Sequence, residues 1–111
     1  MLAGRATAAG TARFGERTGT KLAADFFRPL SPHGILASSI GLGSYLGECD
    51  EADDIRYADT AHHAIATGIN LLDTAINYRC QRSERAFGKA LSRAVRMETA
   101  ARDELVVCTK G

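Results

Sequence analysis

The stretch GINLLDTAINYRCQRSERAFGKALSRAVRMETAARDELVVCTKG, residues 68–111, decides how the chain is read. Ile69-Asn70-Leu71-Leu72-Asp73 is a short apolar run between a glycine and a polar loop, the pattern of a strand buried on both faces. The loop Thr74–Ser83 leads to a helix on which Phe87, Ala90, Leu91, Ala94 and Val95 share one face, with Ser83 placed to cap its first turn. Arg102-Asp103 form a polar link. Glu104 to Thr109 then read as another buried strand, followed by Lys110-Gly111.

Working back from Gly68, the residues Ile55, Ala58, Ala61 and Ile65 recur at helical spacing. Asp50 or Asp53 can cap that helix, and the acids Asp50, Glu51, Asp53 and Asp54 suit its positive end. Gly68 stops it. His62 and His63 are consecutive, so they point roughly 100° apart and cannot face one metal; both read as solvated. Earlier still lies LAADFFRPLSPHGILASSIGLGSYLGECD, residues 22–50, where Pro29, Pro32 and Gly34 punctuate two short extended pieces around a turn at Ser31–Gly34. The second piece runs into Gly41, Gly43 and Gly47.

The resulting order, strand–helix–strand–helix–strand, predicts right-handed βαβ units and a parallel sheet with helices outside. The fold class is α/β. Three such strands leave two apolar edges exposed, and a (β/α)₈ TIM barrel needs roughly 250 residues. The chain is therefore expected to be the opening of a larger barrel, about three βα units.

The 111 residues are 45% apolar and 24% charged, an ordinary soluble composition, and the formal charge of +1 offers no field for nucleic acid or an anionic membrane. No apolar run approaches the roughly 18–20 residues of a membrane span, so the cytoplasm is the expected location. Arg5, Arg13 and Arg17 give the N-terminus a trace of transit-peptide character, but its Ala/Gly/Thr composition reads as a disordered tail over residues 1–25, with the folded part at 26–111. Cys49, Cys80 and Cys108 form no zinc-type pattern, so no metal site is expected, and Cys108 reads as a small buried hydrophobe.

Chemistry on a parallel barrel gathers at the C-terminal strand ends. Asp73 closes one strand, Tyr78 lies in the loop after it, and Lys110 closes the next. A carboxylate and an ammonium at neighbouring strand ends can pair. A lysine near a phenol stabilises phenolate, as a tyrosine acting as general acid requires.

GINLLDTAINY, then SERAFGKAL, then ELVVCTKG, together with IGLGSYLG upstream, resembles the N-terminal part of the aldo/keto reductase family from about residue 34 onward. That resemblance implies a (β/α)₈ barrel and NADP(H)-dependent interconversion of a small-molecule carbonyl and its alcohol. By the same resemblance Tyr78 is the proton donor, Asp73 the acid of the DTA segment, and Lys110 the lysine that tunes the tyrosine. Gly43, Ser44 and Tyr45 match the loop lining the nicotinamide and substrate, with Asp73 beside the cofactor. The segment after Tyr78 departs from the usual pattern: Arg79-Cys80-Gln81-Arg82-Ser83 precede Glu84, which puts substrate preference rather than family in question. In the family a catalytic histidine and the residues gripping the cofactor's phosphates lie beyond the position of Lys110; His33, His62 and His63 all precede it. The 111 residues alone are accordingly expected to be an inactive fragment without a sharp thermal transition.

Two other readings compete. Gly41-Leu42-Gly43-Ser44-Tyr45-Leu46-Gly47 approximates a dinucleotide-binding fingerprint, but that motif needs a helix opening at its glycines, and here the helix waits until about Asp53. A truncated, non-catalytic regulatory or binding member of the same family is the alternative.

Overall fold

A computed structural model describes residues 2–30 and 32–111. Its elements are α1 (Ala8–Thr18), β1 (Phe27–Leu30), β2 (Ile35–Ser38), α2 (Glu51–Ala66), β3 (Leu71–Asp73), α3 (Arg82–Arg96) and β4 (Val106–Cys108). β3 and β4 pair in parallel across α3, with Leu71 opposite Val106 and Asp73 opposite Cys108. This is the expected βαβ unit. The first strand of the expected order is reduced, where the chain runs through Gly41 and Gly43, to Leu42, which bridges Leu72 in parallel through Leu42 N–H to Leu71 O and Asp73 N–H to Leu42 O, both 2.9 Å. Flanking glycines at 41 and 43 keep the extended stretch short. Among the described residues the strands make two two-stranded sheets.

The two extended pieces form an antiparallel hairpin, β1 with β2. Of the turn expected at Ser31–Gly34, Ser31 lies outside the described residues, and Gly34 has a φ of +73°. Asn70 fastens the hairpin to the parallel pair. Its side-chain oxygen accepts from Ser38 N–H at 2.8 Å, and its amide donates to Leu36 O and Glu104 O at 3.0 and 3.1 Å. A fully buried asparagine with these partners satisfies three backbone groups between sheets.

The expected tail over 1–25 requires correction. Thr7 accepts a hydrogen bond from Gly10 N–H at 2.9 Å and starts an 11-residue helix, α1. Phe14 is fully buried, edge-on to Phe27 with centroids 5.9 Å apart. A Cβ on Gly10 would lie 2.3 Å from Asp103 O, so only glycine lets α1 sit this close. The far end of this dock is Glu104. It was expected in a strand, but lies in a 3₁₀ turn, Arg102–Glu104, with its side chain only 1% exposed. It receives Arg17 through both terminal nitrogens (2.7 and 2.8 Å), Arg13 Nε at 3.0 Å, and its own turn's Ala101 N–H at 2.9 Å. Burial pushes the Glu104 carboxyl up, but the bonds from Arg17, Ala101 and Arg13 together hold it below the usual carboxylate range.

α2 begins as expected at Asp50, which accepts from Asp53 N–H at 2.9 Å, and ends before Gly68 at φ +112°. Ala58, Ala61 and Ile65 are buried, whereas Ile55 points outward and is 54% exposed. Small residues, Ala61 on α2 and Ala90 and Ala94 on α3, join Ile65, Leu72, Phe87 and Leu105 in the core. His62 touches Thr99 and His63 is exposed. Cys108, expected inside, is exposed: β4 is paired on one flank only, and its burial falls away toward the C-terminal end. Among the described residues no helix is long and apolar enough to cross a membrane.

Candidate active site

β3 and β4 end side by side, and backbone pairing continues past both. Thr74 N–H donates to Cys108 O at 2.8 Å, and Ile76 N–H to Lys110 O at 2.9 Å. This register brings Lys110 beside Asp73. Its Nζ donates to both Asp73 carboxylate oxygens and to Thr74 O, all at 3.1 Å. The same nitrogen lies 5.0 Å from the centroid of the Tyr78 ring. Asp73 raises the Lys110 ammonium above the usual lysine range, the Tyr78 phenol adds to this, and desolvation opposes it. The hydrogen bonds of Nζ go to Asp73 and Thr74, so Tyr78 acts on it through the ring face and the field of its oxygen. Lys110 and Asp73 are each about half exposed, which makes the pair a weak contributor to stability. Three residues expected to meet at the strand ends therefore do meet.

The loop after Leu42 forms the opposite side. Tyr45 is 68% exposed, and its ring stands edge-on to that of Tyr78, centroids 5.1 Å apart. Gly43 faces open space: a Cβ there would meet nothing within 4 Å. Ser44 points the other way. It is buried, its hydroxyl donates to Asp73 O at 3.0 Å, and its carbonyl accepts from the Ser83 hydroxyl at 2.6 Å. The Ser44 side chain thus fixes the end of β3, and its carbonyl fixes Ser83. Ser83, expected as the cap of α3, lies inside the helix. The cap position is Gln81, in left-handed backbone with no side-chain cap bond.

That displacement traces to a turn which pattern reading did not reveal. Arg79, Cys80 and Gln81 have φ of 48°, 57° and 67°, three consecutive non-glycine residues in the left-handed region. Each such residue costs about 1 kcal/mol or more and persists only where its surroundings hold it. Arg79 is what holds it. Its side chain is 1% exposed, and it donates to Glu48 O (2.8 Å), Asp50 O (3.3 Å) and Asp54 Oδ1 (2.7 Å). Its guanidinium carbon sits 4.9 Å from the Tyr57 ring centroid. Arg82 takes the other Asp54 oxygen at 2.5 Å. Burial raises the Asp54 carboxyl, and Arg79 and Arg82 outweigh it, holding the group below its usual range. The signal available in sequence was the Tyr78-Arg79 pair followed by the long loop; its partner, the N-terminus of α2, is not local. Among the described residues, no group of three or more His, Cys, Asp or Glu side chains is placed to hold a metal ion.

The dinucleotide-fingerprint reading finds no support in this geometry. α2 opens at Glu51, and Gly47, in left-handed backbone at φ +112°, turns the chain before it. Comparison with known proteins points elsewhere. No curated protein sequence matches the chain. Among solved structures it is similar to the crystal structure of the Bombyx mori aldo-keto reductase in complex with NADP, at 29% identity and a TM-score of 0.57, covering 70% of this chain. The chain spans 25% of that protein's length. The sequence pattern of the aldo/keto reductase family matches residues 39–111, from just before Leu42 through Asp73, Tyr78 and Lys110. With the match covering most of its length, the chain belongs to the aldo/keto reductase family of oxidoreductases.

Proposed function

We propose that this chain supplies the proton-donor part of an NADP(H)-dependent carbonyl reductase site, acting on a small-molecule aldehyde or ketone, within a (β/α)₈ barrel. The observation that carries it is Lys110 Nζ, held at 3.1 Å by both oxygens of Asp73 while lying 5.0 Å from the Tyr78 ring centroid. A half-exposed ion pair adds little stability, so a phenol placed over it fits a chemical role better than a structural one.

The residues present fit a nicotinamide. The space over Gly43 is open, Tyr45 presents an exposed ring, and Asp73 and Lys110 place both signs of charge at the same mouth. Gly43, Tyr45 and Asp73 would line it, with Ser44 holding the end of β3 beneath them. When bound, NADPH supplies the hydride that reduces the carbonyl carbon. Tyr78 gives its phenolic proton to the carbonyl oxygen, the O–H bond breaking as negative charge gathers there. Lys110 steadies the phenolate left behind, and Asp73 fixes the ammonium in place. In the alcohol-oxidising direction the same phenolate takes the proton back.

The test uses the native gene product from source cells, with its intact mass measured beside NADPH-dependent reduction of a panel of aldehydes and ketones. Tyr78→Phe is expected to lower turnover by about 10²–10⁴-fold with NADPH binding retained. A Tyr78→Phe protein within threefold of the parent would overturn the proton-donor role. A native product that binds NADPH but reduces no carbonyl would favour the non-catalytic member of the family instead.

A further inference from the structure

One pair of reactive side chains lies outside the chemistry above. Cys49 and Cys80 come from segments 31 residues apart, both are exposed, and their sulfurs lie 3.1 Å from each other. The approach is built rather than incidental. Arg79, the residue before Cys80, donates to the carbonyls of Glu48 and Asp50, the two residues that flank Cys49. One buried guanidinium therefore holds both chain segments within a residue of each sulfur. The third cysteine, Cys108, lies on β4 and serves as an internal control. The Cys49 thiol is raised above its usual range, chiefly by its hydrogen bond to Cys80, with Arg79 and Arg82 pulling the other way.

We propose that Cys49 and Cys80 form a reversible dithiol/disulfide site that takes a small-molecule disulfide such as oxidised glutathione and, once closed, locks the left-handed turn following Tyr78. The thiolate of one cysteine attacks a glutathione sulfur. The glutathione S–S bond breaks, a mixed disulfide forms, and one glutathione thiolate leaves and takes up a proton. The second cysteine, as thiolate, then attacks the protein sulfur of the mixed disulfide and expels the second glutathione. The protein loses two electrons and two protons, and oxidised glutathione becomes two reduced molecules. The fold has already brought the two sulfurs together, so the second, intramolecular step outruns escape of the mixed disulfide. Closing the ring tethers Cys80 to the start of α2 at the point where three consecutive residues hold a conformation their side chains disfavour. This site does not depend on the proposed reductase activity.

The native gene product is equilibrated in buffers of graded oxidised-to-reduced glutathione, quenched in acid, alkylated and read by intact mass and peptide mapping. The expected product is one internal disulfide joining Cys49 to Cys80, with Cys108 either free or carrying a mixed disulfide. Cys80→Ser should accumulate the mixed disulfide at Cys49. Repeating the equilibration in denaturant, or with Arg79→Lys, should require at least about tenfold more oxidised glutathione for the same degree of closure, because effective concentration follows positioning. In the oxidised chain, exchange of the Arg82 and Ser83 amides, which donate to Arg79 O and Tyr78 O, should slow about tenfold. Closure at the same ratio in native buffer and denaturant, scrambled pairing with Cys108, or unchanged amide exchange around the turn would overturn the proposal.

Discussion

Glu104→Gln tests how the N-terminal helix is held. The carboxylate is 1% exposed and accepts four hydrogen bonds, three of them from Arg13 and Arg17. Glutamine keeps one acceptor oxygen for Ala101 N–H, but turns a donor toward guanidinium donors. A buried bond to a charged group is worth about 1.5–3 kcal/mol. The Arg17 guanidinium, 45% exposed, regains part of that in water, so the substitution costs about 2 kcal/mol. An isolated 11-residue helix is marginal, so α1 exchanges its amides as soon as it undocks. With tenfold per 1.4 kcal/mol, amide hydrogen exchange of the second half of α1 should quicken about 30-fold, while α2 and α3 stay protected. The pH dependence has a fixed sign. Because the folded Glu104 carboxyl is held below its unfolded value, its contribution is complete above the unfolded pKa of about 4.3 and is lost as pH falls through the lower folded value. The wild type should lose α1 protection over that acid range, and the glutamine variant should not show that step. Less than threefold change in α1, or equal loss across all three helices, would refute the reasoning.

Gly10→Ala raises intrinsic helix propensity yet places a methyl 2.3 Å from Asp103 O; α1 should undock, with exchange in Arg13–Thr18 quickening by at least tenfold. Asn70→Ala leaves Ser38 N–H, Leu36 O and Glu104 O without their partner, at a cost of about 2–4 kcal/mol; chymotrypsin should then cut at Phe26 or Phe27 at least tenfold faster than in the parent. Lys110→Met in the native gene product should lower carbonyl-reduction turnover by about 100-fold with an unchanged circular dichroism spectrum, since the ion pair it removes is half exposed.

The elements carrying the site were legible because their signals are local. A short apolar run ending in Asp73, a helix face of Phe87, Ala90, Leu91 and Ala94, and a second run ending before Lys110 fix which strand ends lie together. The parallel pairing then brings Asp73 and Lys110 into contact. α1 was not legible. It has one large apolar residue, Phe14, amid alanine, glycine and threonine, and the acids that hold its arginines lie 87 to 91 residues away. The start of α3 was misplaced for a related reason. Ser83 is a good cap by type, but the left-handed turn that fixes the helix start depends on Arg79 reaching α2, a contact between segments about 30 residues apart.

The span between Arg13 and Glu104 also sets a schedule for synthesis. At roughly 5–20 residues per second, α1 leaves the ribosome about 5–20 s before its carboxylate partner exists. For that interval Arg13 and Arg17 lack their carboxylate and Phe14 has only Phe27 of the hairpin to pack against, so α1 settles fully only once residues 102–105 have been made. A chaperone that recognises short basic segments with a single aromatic residue would have its opportunity then, and would lose it once residues 102–105 close over the helix.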